Sequence, residues 1–263
     1  LRQTSEDPVD VDVVFYIAGR SIDRETLISL RDTIYELLVE IYPNKAVEDF
    51  EIQRRAATVT FVGSGISVDI VPVIEDPARP GYGWQYDIHG DPPIQTCAPC
   101  QIKFVRDRKE VDGHFRTLVR LAKRWRNYAE LKALKSFTIE LIVAHLVARD
   151  GAKGTIEERF RAFLLYLAQS ELKERISFPE NQPPFGVFND PVVILDPVYS
   201  KNNVAARITE AERAQIVEKA TEDWQTANFA SAEGDLDVWK KIFGPRFKGG
   251  AWIGPTGQPP RRA

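Results

Sequence analysis

At 263 residues and 43% apolar composition, the chain can bury one large core or two of ordinary size. A formal net charge of -3 lacks the basic excess of proteins that coat nucleic acid, yet leaves room for a small basic triphosphate pocket. The most apolar run, Phe137 to Ala148, is shorter than the roughly 18–20 residues of a membrane span and contains Glu140 and His145. With no secretory signal and only two cysteines, the expected setting is cytoplasmic, with no membrane attachment.

Val9 to Ile17 (VDVDVVFYI) is dense in β-branched and aromatic residues and predicts a buried strand. A helix is predicted from about Ile22 to Ile41, capped by Ser21 or Asp23 and stopped at Tyr42-Pro43. Strands follow at Ala57 to Val62 and Ile66 to Ile74, with Gly63-Ser64-Gly65 as the hairpin turn between them. Asp76 to Cys100 turns to Pro, Gly and aromatic residues and predicts a long loop.

The second half has helical spacing. Helices are predicted near His114 to Asn127, Ser136 to Arg149, Ile156 to Leu172 and Thr209 to Phe229, with a capping box at Thr209 and Glu212. A short strand is expected at Val192 to Leu195 and a last helix at Asp235 to Phe243, closed by Gly244-Pro245. The tail after Lys248 is rich in Gly, Pro and Arg. The order predicts an α+β fold of two lobes, a small mixed sheet first and helices after it.

Residues two apart on a strand share a face, so Asp10 and Asp12 project side by side from an otherwise apolar segment. Packing explains that pair poorly, because burying unpaired charge is costly. Divalent cations resolve the conflict, since Mg²⁺ takes oxygen ligands and often only one or two carboxylates besides substrate phosphates. Asp69, in Ser67-Val-Asp-Ile-Val71, supplies a third carboxylate if its strand pairs beside the first. Three converging carboxylates are a ligand set for two-metal phosphoryl transfer, with two Mg²⁺ or Mn²⁺ ions per site. The alternative is an exposed edge strand whose charges discourage aggregation.

The flanking residues carry a resemblance. Asp10-Val-Asp12-Val-Val, followed by Val68-Asp69-Ile-Val-Pro72, resembles the active-site signature of the cGAS/DncV-like nucleotidyltransferases, or CD-NTases. These belong with the DNA-polymerase-β-like enzymes and are related to the oligoadenylate synthases. Further segments agree in the family's order: Leu118-Val-Arg-Leu-Ala-Lys123-Arg-Trp125, Leu134-Lys-Ser136-Phe137, Ile194-Leu-Asp196-Pro197 with Asn202-Asn203-Val204, and Trp239-Lys-Lys-Ile-Phe-Gly244. The resemblance implies a catalytic core over 1–112 and a helical lobe over 113–248, similar to the C-terminal domain of oligoadenylate synthases. Residues 249–263 are left as a flexible tail, and the active site is expected in the cleft between the lobes.

It further implies that Asp10, Asp12 and Asp69 hold the metals while Lys123 and Ser136 contact donor phosphates and Phe137 stacks on a base. Asp196 and Tyr199 are placed near the nucleotide. The family's Gly-Ser phosphate loop precedes its aspartates. The chain starts at Leu1 and has no methionine, so it is expected to begin inside a longer protein with that loop upstream. Gly63-Ser64 lies on the wrong side of Asp12 and is read as a structural turn.

Plainer readings stand beside these roles. Lys123 sits among Arg120, Arg124 and Arg126 and could belong to a solvated basic face; Ser136 could be an N-cap. Phe137 could be core. Cys97-Ala-Pro-Cys100 supplies half of a tetrahedral zinc site, with His89 and His114 as the available partners, but two free thiols in a loop is the favoured reading. His145 reads as a satisfied core histidine, and Lys103 to Lys109 as the approach to the central helix.

The implied activity joins nucleoside triphosphates, ATP or others, into a cyclic di- or oligonucleotide with release of pyrophosphate. In the family such products act in bacterial anti-phage defence, where a separate effector reads them and a regulatory protein partner is possible. A linear polymerase or terminal transferase would share the same aspartates. A catalytically silent nucleotide-binding module is the alternative from another class.

Overall fold

Val9–Ile17 forms strand β1 in the computed structural model, which describes residues 9–18, 24–85 and 93–248. Helix α1 (Arg24–Ile41) follows, then β2 (Phe50–Ile52), β3 (Ala57–Phe61), β4 (Ile66–Glu75), β5 (Gly83–Gln85) and β6 (Ile94–Thr96). Strands β2 to β6 pair in chain order, each antiparallel to the next, while β1 joins β4 in parallel. A parallel pair needs a long crossover, and α1 with the β2–β3 hairpin provides it.

The turn between β3 and β4 closes with Ser64 N donating to Phe61 O at 3.0 Å, and Gly65 sits at φ +64°, where a side chain is disfavoured. Leu38 of α1 packs with Phe50, Ala57 and Val59, joined by Ile34, Tyr35, Phe61, Val68 and Ile70. Because side chains alternate along a strand, covering that face with α1 sends Thr58, Thr60, Ser67 and Asp69 to the other. Thr60 Oγ1 and Ser67 Oγ lie 3.3 Å apart there.

The predicted loop from Asp76 to Cys100 contains two strands and the start of a helix. Strands of three residues are too short to display alternation; tertiary pairing makes them. Gly83 pairs with Glu75 so closely that a Cβ there would lie 2.3 Å from Val73 Cγ1 and 2.7 Å from Ile74 O, so no larger residue fits. Buried Gln95 bridges Arg79 and Asp76 with two hydrogen bonds of 2.8 Å.

Helix α2 (Ala98–Val111) includes the stretch read as an approach to the central helix. The two cysteines are not free thiols: Cys97 and Cys100 form a disulfide across the first turn of α2, with Cα atoms 5.2 Å apart. A CxxC that enters a helix brings its sulfurs onto one side, within disulfide range. Among the described residues no cluster of three metal-ligating side chains occurs.

The chain divides into two compact units, Leu1–Lys103 and Phe104–Ala263, so the division falls inside α2 rather than after it. The second unit contains α3 (Phe115–Tyr128), α4 (Ser136–Asp150), α5 (Ile156–Ser170), β7 (Leu195–Asp196), β8 (Tyr199–Asn203), α6 (Glu210–Glu233) and α7 (Leu236–Phe243). Helix α4 is buried at Thr138, Ile139, Leu141, Ile142, Val143, Ala144, Leu146 and Val147, as expected of a helix apolar nearly all round. Trp125, Phe160, Phe163 and Phe243 fill the same core. No helix among the described residues is long and apolar enough to cross a membrane.

Several buried polar groups in this core are paired, although Thr138 Oγ1 is buried without a hydrogen bond. Trp125 Nε1 donates to Asp223 Oδ2 at 2.7 Å, and Lys219 reaches the other oxygen at 3.0 Å. Arg159 grips both oxygens of buried Asp112. The capping box at Thr209 and Glu212 forms, and Thr155 with Glu158 makes a second. His145 differs from its expectation. Its Nε2 is buried without a hydrogen bond, 3.7 Å from Glu174 Oε1, and burial pushes its pKa down, so it packs as a neutral ring against Tyr166. The strand expected at Val192 to Leu195 shifts to Leu195–Asp196, while Ile194 bridges Ile176.

Candidate active site

The parallel pairing of β1 and β4 sets the register that matters. Asp12 lies opposite Asp69, and Asp10 opposite Ser67. Paired residues on neighbouring strands point to the same face and are about 4.8 Å apart across the ladder. Asp12 and Asp69 therefore sit side by side on the polar face, the one away from α1. The side chain of Asp10 lies outside the described residues, and its strand position puts it two residues before Asp12.

Asp12 is exposed and Asp69 half-buried. Thr58, the β3 partner of Asp69, donates its hydroxyl to Asp69 Oδ1 at 2.7 Å, and Gln53 Nε2 approaches the same oxygen at 3.4 Å. Gln53 is itself held: its amide donates to Ala56 O at 2.9 Å, and buried Arg31 of α1 donates to its carbonyl at 3.3 Å. Two carboxylates from adjacent strands, one orientated by hydrogen bonds, match the oxygen donors that Mg²⁺ or Mn²⁺ prefers. On that test the residues fit a divalent cation.

In the helical unit, Lys123 on α3 meets Glu140 on α4, with Nζ 2.5 Å from Oε1 and both side chains about three-quarters covered. The N-cap of α4 is Lys135, with no side-chain cap, so Ser136 is the first helical residue and not the cap. Its hydroxyl is exposed beside the free amides of the helix start, a place that favours anions. Arg126 reaches back from α3 and donates to Leu134 O at 2.9 Å and to Ser136 Oγ at 3.5 Å. Phe137 is half-buried and packs on the core.

Asp196 is buried at the β7–β8 turn. Its Oδ1 accepts from the Val198 amide at 3.0 Å and its Oδ2 from Asn202 Nδ2 at 3.1 Å, so the carboxylate holds that turn. Tyr199 is partly exposed beside it, paired with Asp196 in the ladder.

No protein-family model matches the chain. Whole-chain comparison is decisive. A CBASS oligonucleotide cyclase, CdnC, of Escherichia coli strain KTE188 is 61% identical over 248 residues, covering 94% of this chain and 78% of that protein. The chain belongs to the CBASS oligonucleotide cyclases of the cGAS/DncV-like nucleotidyltransferase family. A cyclic AMP-AMP-AMP synthase of E. coli strain MS 115-1 is 34% identical over 251 residues, covering 91% of this chain and 78% of its own. The structure of E. coli MS115-1 CdnC with ATP superposes with a TM-score of 0.76 at 33% identity over 91% of this chain and 79% of that one. CdnC of that strain has also been solved as a CdnC:HORMA-deltaN complex, again with a TM-score of 0.76.

Membership establishes a nucleotidyltransferase of α+β architecture. It leaves the individual side chains to be argued from their surroundings. Sequence reasoning passed over Thr58 and Gln53, and met Arg126 only as part of a basic face around Lys123. For Thr58 the register decides: the expected turn at Gly63-Ser64-Gly65 would pair Val62 with Ile66 and set Thr58 opposite Ile70, whereas the observed Phe61–Ile66 pair sets it opposite Asp69. Gln53 and Arg126 depend on loop and helix packing that no local spacing reveals.

Proposed function

We propose that this protein converts nucleoside triphosphates, ATP among them, into a cyclic di- or oligonucleotide that signals phage infection. An acceptor 2′- or 3′-hydroxyl attacks the α-phosphate of a donor in line, a P–O bond forms, and pyrophosphate leaves. A second, intramolecular round closes the ring. Asp10, Asp12 and Asp69 would hold Mg²⁺ or Mn²⁺, two ions per site, which supply charge neutralisation and a more acidic acceptor hydroxyl. Lys123 and Ser136 would bind donor phosphates, and Phe137, Asp196 and Tyr199 would lie near the nucleoside. Most of the acceleration would come from positioning and charge complementarity.

The observation that carries this reading is the register of Asp12 beside Asp69 on the strand face away from α1. The names of the relatives support a cyclic product, and a cyclic triadenylate is the first candidate. The CdnC:HORMA-deltaN complex supports a HORMA-type regulatory partner for this chain. A separate effector would read the product.

The test is incubation of the chain with labelled ATP, GTP, CTP and UTP and Mg²⁺ or Mn²⁺, alone and with a HORMA-type partner, followed by phosphatase. Metal-dependent pyrophosphate release and a phosphatase-resistant product are expected. A phosphatase-sensitive product would establish the linear polymerase instead, and no pyrophosphate release under any condition would leave only a binding module.

A further inference from the structure

Asp69 stands in the middle of a row that crosses three strands. Thr58 is its partner on β3 and Asp12 its partner on β1. Both hydrogen bonds that Asp69 accepts among the described residues go to one oxygen, Oδ1, from the β3 side: Thr58 Oγ1 at 2.7 Å and Gln53 Nε2 at 3.4 Å. Thr58 is 3% exposed, so its hydroxyl has little access to water as an alternative. A carboxylate otherwise turns about its χ2 bond with little resistance. A short hydrogen bond from a buried, β-branched side chain stops that rotation, because threonine is itself restricted at χ1.

We infer that Thr58 is a positioning residue for the cation site: it fixes Asp69 through Oδ1 so that Oδ2 is presented, with Asp12, to a divalent cation. The inference rests on the reading of Asp69 as a metal ligand. Partners of ligating carboxylates act through orientation, and their loss typically weakens metal affinity about 10–100-fold. The buried placement of Thr58 gives it no route to substrate, so its effect passes through Asp69 alone.

The experiment compares Thr58→Val, which keeps the shape and removes the donor, with Thr58→Ser, which keeps the donor, and with Asp69→Asn. Binding of Mn²⁺ alone to the full chain is followed by the EPR signal of the free ion. Turnover is measured against Mg²⁺ concentration, and nucleotide KM at saturating metal. Thr58→Val should raise the Mn²⁺ Kd and the half-saturating Mg²⁺ by about 10–100-fold with nucleotide KM unchanged, and Thr58→Ser should restore both to within about threefold.

Mn²⁺ affinity in Thr58→Val equal to the wild type, or equal losses in Val and Ser, would overturn the inference and leave Thr58 a packing residue. Wild-type Mn²⁺ binding in Asp69→Asn would instead remove the metal-ligand reading of Asp69, a separate failure. Should Thr58→Val not fold, Thr58→Ala set against Thr58→Ser makes the same comparison.

Discussion

Two aspartates, one in each unit, show how differently a carboxylate can be set. Asp112 in the helical unit is buried, and both its oxygens accept from the guanidinium of Arg159, with the His114 amide adding a third bond at 2.9 Å. Asp69 in the sheet unit is half-buried, with one oxygen bonded to a neutral hydroxyl and a second aspartate as its strand neighbour. The first arrangement neutralises the charge internally and so serves the fold. The second leaves charge directed outward beside like charge, which serves a cation better than it serves stability.

The comparison breaks first at Asp69. Asp69→Asn keeps the shape and the Thr58 hydrogen bond but removes the charge, so turnover should fall at least about a thousandfold, the several kcal/mol that lost charge stabilisation implies. The melting temperature should hold or rise, because a like-charge repulsion is relieved. A melting temperature that drops while turnover survives would make Asp69 resemble Asp112.

Arg159→Met should do the reverse. It strands a buried carboxylate, which typically costs about 3–5 kcal/mol of stability. The pH dependence makes the point sharper. In the native chain burial pushes the Asp112 carboxyl up, but the bonds from Arg159 and the His114 amide outweigh it and hold the carboxyl below its ordinary value. A carboxylate lowered in the folded state contributes stability that is full above its unfolded value, near 3.9, and is lost as pH falls through the folded one. Without Arg159, burial, the largest cause, is opposed by His114 alone, so the stability that the charged carboxyl contributes above its unfolded pKa should shrink in the variant and its loss on acidification should flatten or reverse. Thermal unfolding between about pH 2 and 7 reads both slopes; parallel slopes would mean that Arg159 does not set the charge of Asp112.

Legibility differed between the units for the same reason. The helices from α3 onward were visible in sequence because apolar spacing over 8–24 residues is a strong local signal, and every predicted helix there formed to within a few residues, whereas α2 was not foreseen as a helix. Strands β2, β5 and β6 were not visible, since three residues carry no period and their existence depends on partners distant in sequence. The aspartates could be picked out because Asp10-Val-Asp12 and Val68-Asp69 interrupt apolar strands with charge. What sequence could not supply was which oxygen of Asp69 is held, which Thr58 and Gln53 decide. The disulfide was missed because two cysteines in a mixed segment say nothing about the helical turn that brings them together.

A finer comparison lies within the helical unit, between Lys123 and the paired cations of its core. Lys219 pairs with buried Asp223, whereas Lys123 pairs with Glu140, whose side chain is 22% exposed, at the edge of the core. If Glu140 only holds Lys123 until a phosphate displaces it, the carboxylate competes with the nucleotide for one ammonium. Glu140→Gln should then tighten nucleotide binding, while Lys123→Ala should weaken it about tenfold, the value of one modest charge-assisted contact. Opposite shifts in nucleotide Kd from two residues of one ion pair cannot arise from lost stability, which both substitutions would move in the same direction. Equal and small losses of melting temperature with unchanged nucleotide Kd would place Lys123 with Lys219, as part of the scaffold.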